Sequence, residues 1–228
     1  RFHRPYVKVF EEERELTVML AVDVSGSLDF GTSTQLKRDM ITEIGATLAF
    51  SAIQNNDKIG VVFFSDRIEK YIPPKKGRKH ILYIIREMLD FQPESRRTDI
   101  NNALQFLSGV MKRRATIFML SDFYAKHNFS DAITICNRKH DLVAIQVYDR
   151  LALELPDVGL IRVVDAETDE EMYVDTGSRK MRQLYRQYWT SRQARLMDTL
   201  TKSNVDNVSI STDDDFVKKL LLLFKRRN

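Results

Sequence analysis

The run Asp23-Val24-Ser25-Gly26-Ser27 sets one carboxylate and two hydroxyls at alternate positions around a glycine. A chain that leaves a strand and turns at Gly26 can bring those three oxygens onto one point. A second carboxylate, Asp122, follows the apolar run Ala115 to Ser121. A further hydroxyl, Thr98, follows Arg96-Arg97 and precedes a helical stretch. All five are hard oxygen donors. Mg²⁺ takes such donors in an octahedral array at roughly 2.0–2.1 Å and keeps several waters, so the chemistry on offer is the binding of Mg²⁺, or of Mn²⁺ or Ca²⁺. No His or Cys stands beside these residues, which argues against zinc. Each piece alone has a plainer reading. Ser, Asp and Gly build turns, Thr98 alone reads equally as the N-cap of a helix starting at Asp99, and Asp122 could cap the loop after it. Their conjunction at the carboxyl ends of two strands favours a cation site.

The elements that must position these groups follow from hydrophobic periodicity. Leu16 to Val24 is nearly all apolar and rich in β-branched residues, the habit of a strand buried on both faces of a parallel sheet. From Ser33 to Asn55, Leu36, Met40, Ile44 and Leu48 recur every four residues, which predicts an amphipathic helix. Lys58 to Ser65, Ala115 to Ser121 and Leu142 to Tyr148 read as further buried strands, and Ile68 to Ile72 as a short edge strand stopped by Pro73-Pro74. Helices are expected over Gly77 to Leu89, Asp99 to Met111, Asp131 to Arg138, Arg179 to Ser203 and Phe216 to Lys225, with a last short strand at Val208 to Ile210. Leu160 to Val164 and Glu171 to Val174 alternate and predict a small hairpin inserted at about 158–176. Strands alternating with helices specify an α/β fold, a doubly wound, mostly parallel sheet with helices on both faces. Ligands bind such sheets at the carboxyl ends of the strands, near the switch point. No internal repeat or linker-like tract interrupts the 228 residues, so a single domain over 1–228 is the simplest organisation.

Composition narrows the function classes. Hydrophobic residues make up 43% and charged residues 30%, an ordinary globular balance, and the net charge of +4 does not by itself argue for nucleic acid. No apolar run approaches the ~20 residues needed to span a bilayer. The single cysteine, Cys136, excludes an internal disulfide and reads as a small buried hydrophobe, which fits a reducing, cytoplasmic location. There is no Gly-x-x-x-x-Gly-Lys-Ser/Thr loop for nucleotide hydrolysis, and Ser25 lacks a Gly-x-Ser-x-Gly elbow. His3, His80, His127 and His140 show no ligand spacing. The basic run Lys75 to Lys79 reads as a solvated loop, and Glu11-Glu12-Glu13 as an exposed approach to the first strand. Arg179 to Arg195 is basic and aromatic, but Met181, Tyr185, Tyr188, Leu196 and Leu200 approximate one helical face, so its aromatics read mostly as core and nucleic acid is disfavoured. Asp213-Asp214-Asp215 is placed to cap the final helix.

With all five positions filled, the pattern resembles the metal-ion-dependent adhesion site of von Willebrand factor A domains. The leader Arg1 to Glu15, Gly31, the Asp57-Lys58-Ile59-Gly60 entry to the second strand and the Ser121-Asp122-Phe123 turn resemble the bacterial domain-of-unknown-function family 58. Arg96-Arg97, where A domains often have glycine, departs from the pattern and makes that loop more basic. The resemblance implies a Rossmann-like domain of the A type, and that in this family the segment before Arg1 normally belongs to the domain. It implies that Ser25 and Ser27 ligate the ion directly, Thr98 directly or through water, and Asp23 and Asp122 largely through water. A partner's carboxylate would complete the shell, with Arg96 and Arg97 available to attract it. The implied function is a non-enzymatic protein-binding module whose partner is a MoxR-type AAA+ ATPase or its client. The alternative is a Mg²⁺-dependent phosphohydrolase using the same ion, against which the residues offer no evident general base.

Overall fold

A computed structural model describes residues 16–29, 35–150 and 153–227. The leader Arg1 to Glu15 with its acidic run and His3, Gly31, and the expected helix start at Ser33 lie outside them.

The strands are β1 (Thr17–Asp23), β2 (Lys58–Phe64), β3 (Ile68–Lys75), β4 (Thr116–Ser121), β5 (Asp141–Tyr148), β6 (Leu160–Val164), β7 (Glu171–Asp175) and β8 (Asp206–Ser211). The helices are α1 (Lys37–Gln54), α2 (Arg78–Asp90), α3 (Ile100–Val110), α4 (Ser130–Lys139), α5 (Arg179–Lys202) and α6 (Phe216–Arg227). Six strands form one sheet in the order β3-β2-β1-β4-β5-β8, parallel except for β3. The chain leaves β1 toward β2 and β3, then returns to the other side of β1 as β4. The order therefore reverses between β1 and β4, where two chain crossovers diverge and leave a crevice.

Burial on both faces explains the unbroken apolar strands. Val18, Leu20 and Val22 of β1 enter one apolar layer, and Met19 and Ala21 enter the other. Phe118 and Leu120 oppose Ile117 and Met119 in β4 in the same way. The first layer is closed by Ile41, Ile44 and Leu48 of α1, Ile81 and Ile84 of α2, and Leu220 and Leu223 of α6. The second is closed by Leu104 and Leu107 of α3, Ile133 and Cys136 of α4, and Leu196 and Leu200 of α5. Each such side chain contributes about 1.5–3 kcal/mol when fully buried.

Two expectations need correction. β3 does not stop at Pro73 but runs to Lys75, paired with Ile59 across a register shift at Gly60. An edge strand tolerates the missing N–H groups of Pro73 and Pro74. A Cβ on Gly60 would lie 2.6 Å from the Ile72 carbonyl oxygen, so glycine is what lets the bulged edge close in. In α5 only the C-terminal half packs on the core: Met181 and Tyr188 are exposed, while Leu196 and Leu200 are buried. Periodicity alone does not show where the support of this helix ends. The hairpin of β6 and β7 forms as expected. No helix among the described residues is long and apolar enough to cross a membrane.

Candidate metal centre

The ends of β1 and β4 lie side by side at the switch point. Asp23 closes β1 and is 1% exposed. Its Oδ1 accepts the Ser25 N–H at 2.9 Å, and its Oδ2 accepts the Ser121 hydroxyl at 2.5 Å, so both carboxylate oxygens are oriented by neighbouring loops. The Ser25 and Ser27 hydroxyl oxygens lie 3.1 Å apart and are buried. They owe this to a short 3-10 turn, Gly26–Asp29, anchored by the fully buried Leu28. The Gly26 N–H donates to the Arg96 carbonyl at 2.8 Å, which ties this loop to the one carrying Thr98.

Thr98 is 8% exposed. It is not the helix cap: Asp99 caps α3, accepting from the Asn101 and Asn102 N–H groups at 2.9 and 3.3 Å. That frees the Thr98 hydroxyl for the site. Asp122 does serve its own loop, with Oδ1 accepting the Tyr124 N–H at 2.9 Å across a turn in which Phe123 takes a φ of 56°.

Sequence reasoning missed Lys37. From the first turn of α1 its Nζ donates to Asp122 Oδ2 at 2.7 Å, with both side chains less than a tenth exposed. Only its position just after a loop following the Asp-x-Ser-x-Ser run could have marked it. It neutralises part of the acidic charge. Even so, burial and then the nearby Asp122 charge push the Asp23 carboxyl up to about 6, against the hydrogen bonds from Ser121 and Ser25. A hard cation would relieve that strain, and the hydroxyl and carboxylate oxygens present suit one. Among the described residues no three His, Cys, Asp or Glu side chains gather into a metal cluster, so the candidate set is dominated by hydroxyls.

The hairpin supplies the other missed residues. Its tip crosses the site, where a Cβ on Gly26 would collide with the Ala166 carbonyl oxygen. Thr98 Oγ1 donates to Glu167 Oε1 at 3.0 Å. Lys126 Nζ lies 3.3 Å from Glu167 Oε2, and Arg96 pairs with Asp169 at 2.9 Å. Arg96, expected to face a partner, is thus engaged by the chain itself. Beside the site runs a groove lined by Asp122, Lys126, His127, Tyr188 and Arg192, with the Arg192 guanidinium 4.1 Å from the Tyr124 ring centre.

Residues 1–195 match the family described as Protein of unknown function DUF58. An uncharacterized protein of Mycobacterium tuberculosis is 27% identical over 225 residues, covering 97% of this chain and 70% of the relative. Among solved structures, an aerotolerance-related membrane protein from Bacteroides fragilis, solved with multiple mutations to serines, superposes with a TM-score of 0.62 at 13% identity, over 92% of this chain and 99% of that one. The VWA domain of SpRpn10 superposes with a TM-score of 0.51 at 10% identity, over 93% and 95% of the two chains. The fold is therefore of the von Willebrand factor A type.

Proposed function

The chain belongs to the DUF58 family, and from that premise we propose that it is a non-enzymatic, cation-dependent protein-binding module. Ser25, Ser27 and Thr98 would hold a Mg²⁺-type ion, with Asp23 and Asp122 anchoring it largely through waters. The observation that carries this reading is that Asp23 and Asp122 follow the carboxyl ends of paired strands at the switch point, with the buried Ser25, Ser27 and Thr98 on the adjoining loops. A bound ion supplies an electrophilic position that a partner's carboxylate can complete. The chain's own residues do the rest. Ser121 and the Ser25 N–H orient Asp23, the Asp99 cap fixes Thr98, and Lys37 offsets the charge of Asp122.

The family resemblance proposes the partner, a MoxR-type AAA+ ATPase or its client, in complex assembly or maturation. The test is co-purification from the native host with and without chelator, using the natural chain and Asp122→Ala. Loss of a carboxylate that holds an ion through its waters typically costs about 10–100-fold in metal affinity. Chelator and Asp122→Ala are expected to release the same partner. A complex that survives both removes the cation from recognition, and Mg²⁺-dependent turnover of generic phosphate esters overturns the non-enzymatic reading.

A further inference from the structure

On the reading that this edge holds a divalent cation, the geometry points to Glu167 as a built-in acidic ligand, standing where a partner's carboxylate would otherwise enter.

Leu160, Val164, Met172 and Tyr173 of the hairpin are exposed, Ile161, Val163 and Val174 are only half-buried, and a two-stranded ribbon is marginal by itself. Its base is tied to α5 by Arg182, which donates to the Thr176 and Gly177 carbonyls and pairs with Asp157. Among the described residues, its tip is tied to the candidate site and the loop beside it, through Gly26, Arg96, Thr98 and Lys126. The tip is also ordered from within. Asp165 Oδ1 accepts the Glu167 and Thr168 N–H groups at 2.8 and 3.0 Å, which presents the Glu167 side chain downward.

Glu167 is the anomaly. Its side chain is 6% exposed although it sits at the tip of an exposed ribbon. Burying a carboxylate is costly unless positive charge compensates it. Among the described residues, its polar side-chain partners are a neutral hydroxyl, Thr98, and the ammonium of Lys126, whose side chain is 58% exposed and therefore well screened. A cation beside Thr98 would supply the missing compensation. The spacing agrees: neighbouring corners of an octahedron with Mg²⁺–oxygen bonds lie about 3 Å apart, against 3.0 Å for Thr98 Oγ1 to Glu167 Oε1 and 3.1 Å for Ser25 Oγ to Ser27 Oγ. An external acidic partner must then displace the tip. The Arg96–Asp169 pair that helps to hold the tip is half exposed and so is screened by solvent.

The test titrates Mn²⁺ into the full chain by calorimetry and measures water-proton relaxation of the bound ion. It compares the natural chain with Glu167→Gln, Arg96→Gln, and Ser25→Ala combined with Ser27→Ala, with melting in chelator as the check on folding. Glu167→Gln keeps the hydrogen bond to Thr98 but removes the charge. It is expected to weaken Mn²⁺ binding about tenfold or more and to raise the relaxation enhancement, since water enters the vacated position. Arg96→Gln loosens the tip without touching Glu167 and is expected to shift both readouts the same way by less. If the serine pair abolishes binding while Glu167→Gln and Arg96→Gln leave both readouts unchanged, Glu167 is a structural contact only and the cation site stands without it. If the serine pair binds Mn²⁺ like the natural chain, the cation site itself is lost, and the inference falls with it.

Discussion

Lys37 and Asp122 form a buried ion pair between groups 85 residues apart in the chain. Removing one member of such a pair leaves an uncompensated charge and costs about 3–5 kcal/mol. Lys37→Met keeps the packing of the stem and deletes the ammonium. The variant is therefore expected to unfold at markedly lower denaturant in chelator. If a cation serves the same carboxylates, Mg²⁺ should restore more stability to Lys37→Met than it adds to the natural chain. Denaturation of both proteins with and without Mg²⁺ measures this, and an equal response would separate Lys37 from the cation site.

At the scale of elements, the site depends on where helices begin. α3 starts immediately after Thr98 because Asp99 caps it, and the Asp99 N–H donates to the Ser65 carbonyl at 3.0 Å, which ties the cap to the end of β2. Asp99→Ala is expected to cost about 1 kcal/mol, visible as a lower urea midpoint at unchanged slope. Asp99→Asn should stay close to the natural chain, because asparagine caps about as well. A silent Asp99→Ala would mean that packing of Ile100, Leu104 and Leu107 alone sets the start of α3. The same scale shows why α5 misleads. Its apolar stripe runs on through Met181 and Tyr188, which stay exposed, while Leu196 and Leu200 are buried.

For the whole molecule, His140 stands out among the polar side chains buried with the two apolar layers. It is fully buried, and neither ring nitrogen has a hydrogen-bond partner among the described residues. Burial first, then Lys139 and Arg114, hold its pKa below 6.5. Below about 6.5 the unfolded chain binds a proton that the folded one resists, so this contribution is present above 6.5 and is lost as pH falls. Asp23 acts the other way: its raised pKa favours the folded state as pH drops from about 6 toward 3.8. The difference between the natural chain and His140→Leu isolates the histidine. Urea unfolding at pH 7.5 and 5.5 should show His140→Leu losing less stability on acidification, and equal losses would remove His140 as the cause.

The order of elements and the carboxyl-end placement of Asp23, Ser25, Ser27 and Asp122 were legible in the sequence, because alternation, helical period and turn residues are local properties of the chain. Doubly buried strands demand continuous apolar runs, and a ligand loop must follow one of them. Thr98 was half legible, since a hydroxyl before a helix serves as cap or ligand until the neighbouring Asp99 is seen to take the capping role. Lys37 and Glu167 were not legible. They meet Asp122 and Thr98 across 85 and 69 residues, and nothing local separates them from other charged side chains on solvated faces. Only closure of α1 beneath the sheet edge, and of the hairpin above it, takes them out of water. Charge becomes decisive once solvent no longer screens it, and which charges lose their solvent is set by tertiary packing.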